Sequence, residues 1–294
     1  MNLKDYLAAR IQTVEAALDR WVPAETVPPQ TIHRAMRYSL FAGGKRIRPV
    51  LCIGAAEALG ASPAGIEDAA CTLEMIHTYS LIHDDLPALD NDDLRRGRPT
   101  NHVVFGEAMA ILAGDSLLTL AFEVLGKLPH ASDSIKARLT AELASASGTA
   151  GGMIGGQVHD IEGERQTPTA ELLEAIHRAK TGALLRASVR MGAIYAGANE
   201  TQLDALSRYG EHTGLAFQIV DDILDVEESS ETLGKTAGKD QAQQKITFPA
   251  VYGLVRSKEM AEAQRLAALH ALEPFGDAAA PLAALADFIV KRKA

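Results

Sequence analysis

The chain is predicted to be all-α, a helical bundle around a central cavity, and three observations carry that expectation. Its 294 residues are rich in alanine and leucine and only 5% aromatic, a composition that favours helix. Apolar residues recur at spacings of three and four, the helical period, and strand-like alternation is hard to find. Two clusters of aspartates are each entered from an apolar, helix-compatible run, as they would be if facing helices projected them into a shared cavity.

Proline and glycine delimit the elements, because proline cannot continue a helix and glycine weakens one. In order, the breaks fall at Pro23 to Pro29, Ala42-Gly43-Gly44, Gly60 to Pro63, Arg96 to Thr100, Leu128 to Ser132, Gly163 to Pro168, Glu228 to Gly238 and Glu273 to Pro281. About ten helices lie between them. The length suffices to bury a large core, and no linker separates two halves, so residues 1–294 are read as one domain.

A formal charge of -9 speaks against nucleic-acid binding, which needs a basic footprint. Cys52 and Cys71 form neither a CxxC pair nor a disulfide framework, which fits a reduced, cytoplasmic setting. The N-terminus is charged without a secretory apolar region, and the apolar run from Ala108 to Phe122 is broken by Asp115, so no membrane span is expected.

The first acidic cluster reads Asp84-Asp85-Leu-Pro-Ala-Leu-Asp90, and the second Asp221-Asp222-Ile-Leu-Asp225. Gln218, Asp221, Asp222 and Asp225 stand at i, i+3, i+4 and i+7, so one helix carries them on one face. Like charges that close destabilise the helix unless a cation neutralises them. Magnesium, which takes one or two carboxylates and keeps positions for phosphate oxygens and water, suits such a set. Pro87 interrupts the first run, so Asp90 is expected on a distorted turn that returns toward Asp84.

Anion-binding groups stand nearby. Gly43-Gly44-Lys45-Arg46-Ile-Arg48-Pro49 reads as a loop entering a helix, where cations oppose the helix dipole unless an anion sits at the free N–H groups. Arg95-Arg96-Gly97-Arg98 places guanidinium forks just beyond the first acidic cluster, and Lys180-Thr181, Lys235 and Lys245 are further candidates. Two diphosphates among these charges leave an excess of negative charge that about three magnesium ions would balance.

These segments, together with Ser80-Leu-Ile-His ahead of Asp84, Lys180-Thr-Gly-Ala-Leu and Phe217-Gln-Ile-Val ahead of Asp221, resemble the trans-prenyltransferases of the polyprenyl synthase family, and within it the bacterial farnesyl type. The resemblance runs from about Lys45 to Pro249 with order and spacing intact. It implies the isoprenoid synthase fold, a homodimer, and magnesium-dependent condensation of isopentenyl diphosphate with dimethylallyl and geranyl diphosphate to (2E,6E)-farnesyl diphosphate; manganese could replace magnesium. Carried over by motif, Asp84, Asp85, Asp90, Asp221 and Asp225 hold the metals. Lys45, Arg48, His77 and Arg96 match the isopentenyl diphosphate site, and Arg95, Lys180, Thr181, Gln218 and Lys235 the allylic diphosphate contacts. Asp84, Asp85, Asp90, Asp221, Lys180 and Arg95 are the residues expected to promote ionisation. The released diphosphate, not a side chain, is the implied base.

Tyr79 lies five positions before Asp84, ~7.5 Å down the helix, where a growing prenyl tail would run. With Ser80 and the inserted Pro87-Ala88 it resembles the farnesyl type, leaving geranylgeranyl or another short chain as the alternative product. Asn91, Ile246 and Phe248 depart from the family pattern, Gly155-Gly156-Gln157 with Asp160 matches a family helix, and the resemblance leaves two readings of the tail Lys291-Arg292-Lys293: closure over the isopentenyl diphosphate site as in relatives, or a frayed basic end.

Other readings use different residues. Glu74-x-x-His77 and Glu174-x-x-His177 spell the di-iron carboxylate signature, although two such pairs are unremarkable at this composition. A non-catalytic partner subunit would not need intact acidic motifs. Class I terpene cyclases carry a different second metal motif.

Overall fold

The computed structural model describes residues 2–163, 166–167, 169–227 and 246–292. The regular structure of the described residues is helical apart from one hairpin of two two-residue strands. Helices α1 (Leu3–Trp21), α2 (Gln30–Leu40), α3 (Ile47–Ala58) and α4 (Ile66–Asp84) lead into strands β1 (Leu94–Arg95) and β2 (Arg98–Pro99). There follow α5 (Asn101–Phe105), α6 (Glu107–Lys127), α7 (Asp133–Ser147), α8 (Met153–Gly163) and α9 (Ala170–His177). A π-turn (Arg178–Gly182) joins α9 to α10 (Ala183–Tyr195), and α11 (Glu200–Glu227) is the longest helix described. The C-terminal part comprises α12 (Phe248–Tyr252), α13 (Leu254–Ala271), a 3-10 stretch (Glu273–Ala279) and α14 (Ala280–Lys291).

The expected breaks on described residues are present, while Glu228 to Gly238 lies outside them. Further interruptions occur at Gly106, residues 148–152, residues 196–199 and Gly253. The local signals are ordinary ones. Gly106 and Gly253 end short helices at φ of 83° and 78°, and Gly197 follows the end of α10 at φ 79°. Side-chain caps open several helices: Ser132 Oγ accepts from Ile135 N, Thr169 Oγ1 from Leu172 N, and Thr247 Oγ1 from Ala250 N.

The main core joins α1 to α4, α6, α7, α10 and the first half of α11, with Leu51, Leu73, Met75, Ile76, Leu117 and Leu125 fully enclosed. A smaller cluster of Leu173, Ile176, Ile219, Ile223, Ile246 and Phe248 binds α9 to the second half of α11 and to α12. Helix α6 is long and apolar enough to cross a membrane by length and composition, with mean hydropathy 1.7. It packs on α4, burying Ala110, Ala113, Leu117, Ala121 and Val124, the arrangement of a core helix. Cys52 and Cys71 are both free thiols in the core.

Candidate active site

Helix α4 delivers the first acidic cluster at its C-terminus, where carboxylates oppose the dipole. Pro87 ends the helix, and the chain folds back as expected: Asp90 N donates to the Asp84 carbonyl at 2.8 Å and Asp92 N to the Asp85 carbonyl at 3.1 Å. Asn91 takes a left-handed φ of 50° in this turn, a conformation asparagine tolerates better than most residues. The Asp84 carboxyl is pushed up to about 6, first by burial, with Asp90 and Asp85 adding to the rise and Lys180 and Arg95 opposing it. Asp85 is engaged by Arg95, whose Nε and Nη2 donate at 2.8 and 2.7 Å. Burial raises its carboxyl and Arg95 resists the rise.

The hairpin explains how neighbouring arginines take different jobs. Arg95 lies opposite Arg98 on the antiparallel strands and reaches back to Asp85. Arg96, at φ 54° in the turn, sends its guanidinium to the Gly43 carbonyl. Gly44 has φ 137°, a conformation that favours glycine, and a Cβ there would stand 2.9 Å from the mobile Arg96 Nη1.

Lys45, Arg48, His77, Arg95 and Arg96 share a cleft of about 460 Å³ with Phe217, Asp221, Leu224 and Arg292. Arg46 points into the protein, where Nη1 pairs with Glu74 at 2.8 Å and Nη2 donates to the Leu40 carbonyl at 2.6 Å. The cleft's cations push on one another. Burial and then Arg48, Arg96, Arg95 and Arg46 hold His77 well below the usual imidazole range. Burial also lowers Lys45, with Arg292 adding, and lowers Arg48, with Arg96 adding against Glu74 and Asp221. Such a set is built for an anion.

The second cluster lies along one helix, α11, but its members meet different neighbours. Asp221 faces the cleft and pairs with Arg292. Asp222 is only 3% exposed. It accepts from Gln218 Nε2 at 2.8 Å and from Phe248 N at 2.9 Å, and His177 Nε2 lies 3.4 Å away. Gln218 in turn accepts from Thr181 Oγ1 at 2.8 Å. Asp225 is buried. Lys180 pairs with Asp160 at 2.5 Å, on the π-turn that α8 approaches closely. A Cβ at Gly156 would fall 2.1 Å from the Lys180 backbone nitrogen, so the family glycine is a packing requirement.

The polyprenyl synthetase family model matches residues 29–279. The chain belongs to that family. It is 51% identical over 261 residues to farnesyl diphosphate synthase of Geobacillus stearothermophilus, covering 88% of this chain and 87% of that one. It is 50% identical over 300 residues to geranylgeranyl pyrophosphate synthase 11 of Arabidopsis thaliana, covering 99% and 82%. Among solved structures it resembles an FPP/GFPP synthase of Zymomonas mobilis at TM-score 0.87 and 36% identity, covering 98% and 99%. As a polyprenyl synthetase the chain is a trans-prenyltransferase with the isoprenoid synthase helical fold.

In this polyprenyl synthetase two of the three departures from the family pattern, Ile246 and Phe248, lie in the smaller apolar core, Phe248 stacked on His177 with centroids 5.2 Å apart. Tyr79 is nearly enclosed on α4, edge-on to His83 at 5.8 Å, and Ser80 Oγ donates to the His77 carbonyl at 2.9 Å. Burial first, then Asp84, pushes the Tyr79 phenol up to about 12. Lys235 and Lys245 lie outside the described residues, as does Lys293. The di-iron reading fails on geometry: Glu74 is spent on Arg46, and Glu174 pairs outward with Arg178 at 3.2 Å. Sequence reasoning also gave no role to Glu74 as the cleft's buried counter-charge or to Phe217 as the platform under Arg292, whose guanidinium carbon lies 4.0 Å from the ring centroid. A cation spaced for a tail and an aromatic ahead of Asp221 were the available signals.

Among the described residues no three His, Cys, Asp or Glu side chains gather closely enough to hold a metal unaided. A divalent cation held through one or two of these carboxylates, with ligand oxygens and water completing its shell, fits the donor chemistry of the two aspartate clusters. The raised Asp84 carboxyl reflects its burial first, with the neighbouring Asp90 and Asp85 adding to the rise.

Proposed function

We propose that the protein is a (2E,6E)-farnesyl diphosphate synthase, joining isopentenyl diphosphate to dimethylallyl and then geranyl diphosphate. The observation that carries this reading is the adjacency of two opposite half-sites: an acidic cluster at the end of α4 and a cationic cleft lined by Lys45, Arg48, His77 and Arg96. The cleft would hold the isopentenyl diphosphate. Arg95, Lys180, Thr181 and Gln218, with Lys235, would orient the allylic diphosphate. Asp84, Asp85 and Asp90, with Asp221 and Asp225, would hold about three magnesium ions. Bound magnesium would supply the charge that stabilises the departing diphosphate. Tyr79 supports the fifteen-carbon product, because its enclosed ring lies one and a half helical turns below Asp84.

The protein's own groups account for the rest. Arg95 and Lys180 stabilise charge developing on the leaving group. The proton lost after condensation goes to the released diphosphate. A cytoplasmic homodimer is part of the proposal, and sedimentation of the purified protein checks the assembly.

The deciding experiment incubates purified protein with labelled isopentenyl diphosphate and either dimethylallyl or geranyl diphosphate, with magnesium or EDTA, and reads chain length after dephosphorylation. Magnesium-dependent fifteen-carbon product is expected. Twenty-carbon product would overturn the chain length and leave the reaction, and no product from folded protein would overturn the reaction.

A further inference from the structure

Glu74 is a carboxylate placed in a cleft otherwise suited to an anion. It stands on α4 one helical turn before His77, lines the cationic cleft with Arg48 and Arg96, and is only 2% exposed. Its two oxygens have different surroundings. Oε1 accepts from Arg46 Nη1 at 2.8 Å, whereas Oε2 is buried without a hydrogen-bond partner among the described residues. Arg46 also donates through Nε to Glu15 on α1 at 2.7 Å, so a second carboxylate already balances its charge. The effect of Glu74 beyond that pairing falls on the cleft. Burial lowers both Arg48 and Arg96, and Glu74 is the foremost group opposing that fall in each. A carboxylate beside those cations cancels part of the field that draws an anion, and burial strengthens its action.

The connectivity of prenyl transfer gives a weakened cleft a purpose. Condensation breaks the C1–O bond of the allylic diphosphate, joins that carbon to C4 of isopentenyl diphosphate, and passes a C2 proton to the released diphosphate. The elongated product therefore keeps the diphosphate that arrived on isopentenyl diphosphate, and it forms with that group still in the cationic cleft. The group must leave before another isopentenyl diphosphate can enter, whether it moves to the allylic side or to solvent. We propose that Glu74 is a built-in counter-charge that loosens the cleft's hold on diphosphate and so sets how fast each elongated product clears it. The clearing role rests on the prenyl-transfer reading. The counter-charge rests on the geometry alone.

Two variants separate the cleft from the Arg46 pairing. Glu74→Gln keeps an oxygen for Arg46 and removes the charge from the cleft. Glu15→Gln removes the other charge on Arg46 from a residue on α1 outside the cleft lining. Inorganic diphosphate is titrated calorimetrically into the parent and both variants in EDTA, which reads the cationic cleft without metal. Glu74→Gln is expected to bind it about tenfold more tightly, with the gain shrinking as salt is added, and Glu15→Gln to stay within about twofold of the parent. With magnesium, geranyl diphosphate and isopentenyl diphosphate, Glu74→Gln is expected to lower steady-state kcat and the KM for isopentenyl diphosphate by about threefold or more, while the single-turnover rate stays within about twofold of the parent.

Equal or weaker diphosphate binding in Glu74→Gln would overturn the proposal. An equal gain in Glu15→Gln would assign the effect to Arg46 and overturn it as well. Unchanged kcat, or a single-turnover rate that falls together with kcat, would remove the clearing role. Should Glu74→Gln not fold, Glu74→Ala, which lets water reach Arg46, takes its place with the same directions expected. If the parent transfers no prenyl group, the functional reading fails separately and the clearing role fails with it; the diphosphate titration then decides the counter-charge.

Discussion

Arg292 and Asp221, 71 residues apart in the chain, form an ion pair across the mouth of the cationic cleft. The Arg292 side chain is only 5% exposed, lying over the Phe217 ring, while Lys45 stands over Phe288 from α14 at 5.9 Å. The C-terminal helix thus brings its own cation to a carboxylate that the proposed mechanism assigns to metal. Without ligand, that cation offsets the charge of Asp221.

Removing it should expose Asp221. Arg292→Ala is expected to tighten magnesium binding to the ligand-free protein about threefold to tenfold at low ionic strength, with the gain shrinking as salt is added. Calorimetric titration of magnesium at two salt concentrations checks this, and weaker binding in the variant would show that Arg292 does not compete at Asp221.

Asp84 makes stability depend on pH in the metal-free protein. Its folded carboxyl titrates at about 6, above the ordinary aspartate value near 4, so between those pH values the folded state binds the proton more tightly. Stability is therefore fully retained below about 4 and is lost as pH rises through about 6. Asp84→Asn should raise stability by ~1–2 kcal/mol at pH 7 and make little difference at pH 4. Urea unfolding in EDTA at the two pH values measures it; equal effects at both would remove Asp84 as the cause.

Gly156→Ala should disrupt the site through packing alone. The added Cβ would meet the Lys180 backbone nitrogen at 2.1 Å, a contact with no flexible partner to yield. A loss of ~2–4 kcal/mol in unfolding free energy is expected, together with a lower kcat as the π-turn carrying Lys180 and Thr181 shifts. Gly60→Ala would not be a fair control because that residue has φ 72°; Gly126→Ala, with nothing within 4 Å of the new Cβ, is, and should be close to neutral.

Tyr79→Ala should lengthen the product. The ring sits on α4 below Asp84, and its removal opens space of about one aromatic side chain along the helix. Chain-length analysis is expected to show products beyond fifteen carbons. The same distribution as the parent would remove Tyr79 as the stop.

Much of this protein is legible in its sequence. Helical periodicity and proline and glycine positions located most elements, and the order of Asp84-Asp85, Arg95-Arg96, Lys180-Thr181 and Asp221-Asp222 identified the family, because those properties depend on local spacing alone. The return of Asp90 to Asp84 followed from Pro87 for the same reason. Periodicity says which residues share a helix face but not what that face meets. It therefore could not separate Asp221, turned to the cleft and Arg292, from Asp222, buried against Gln218, His177 and Phe248. Nor could it tell Arg46, spent on Glu74 and Leu40, from Arg48 beside His77, or show that Asp85 belongs to Arg95. Those assignments were decided by which helices pack together, since a charge takes its role from partners that are remote in sequence and adjacent only after folding.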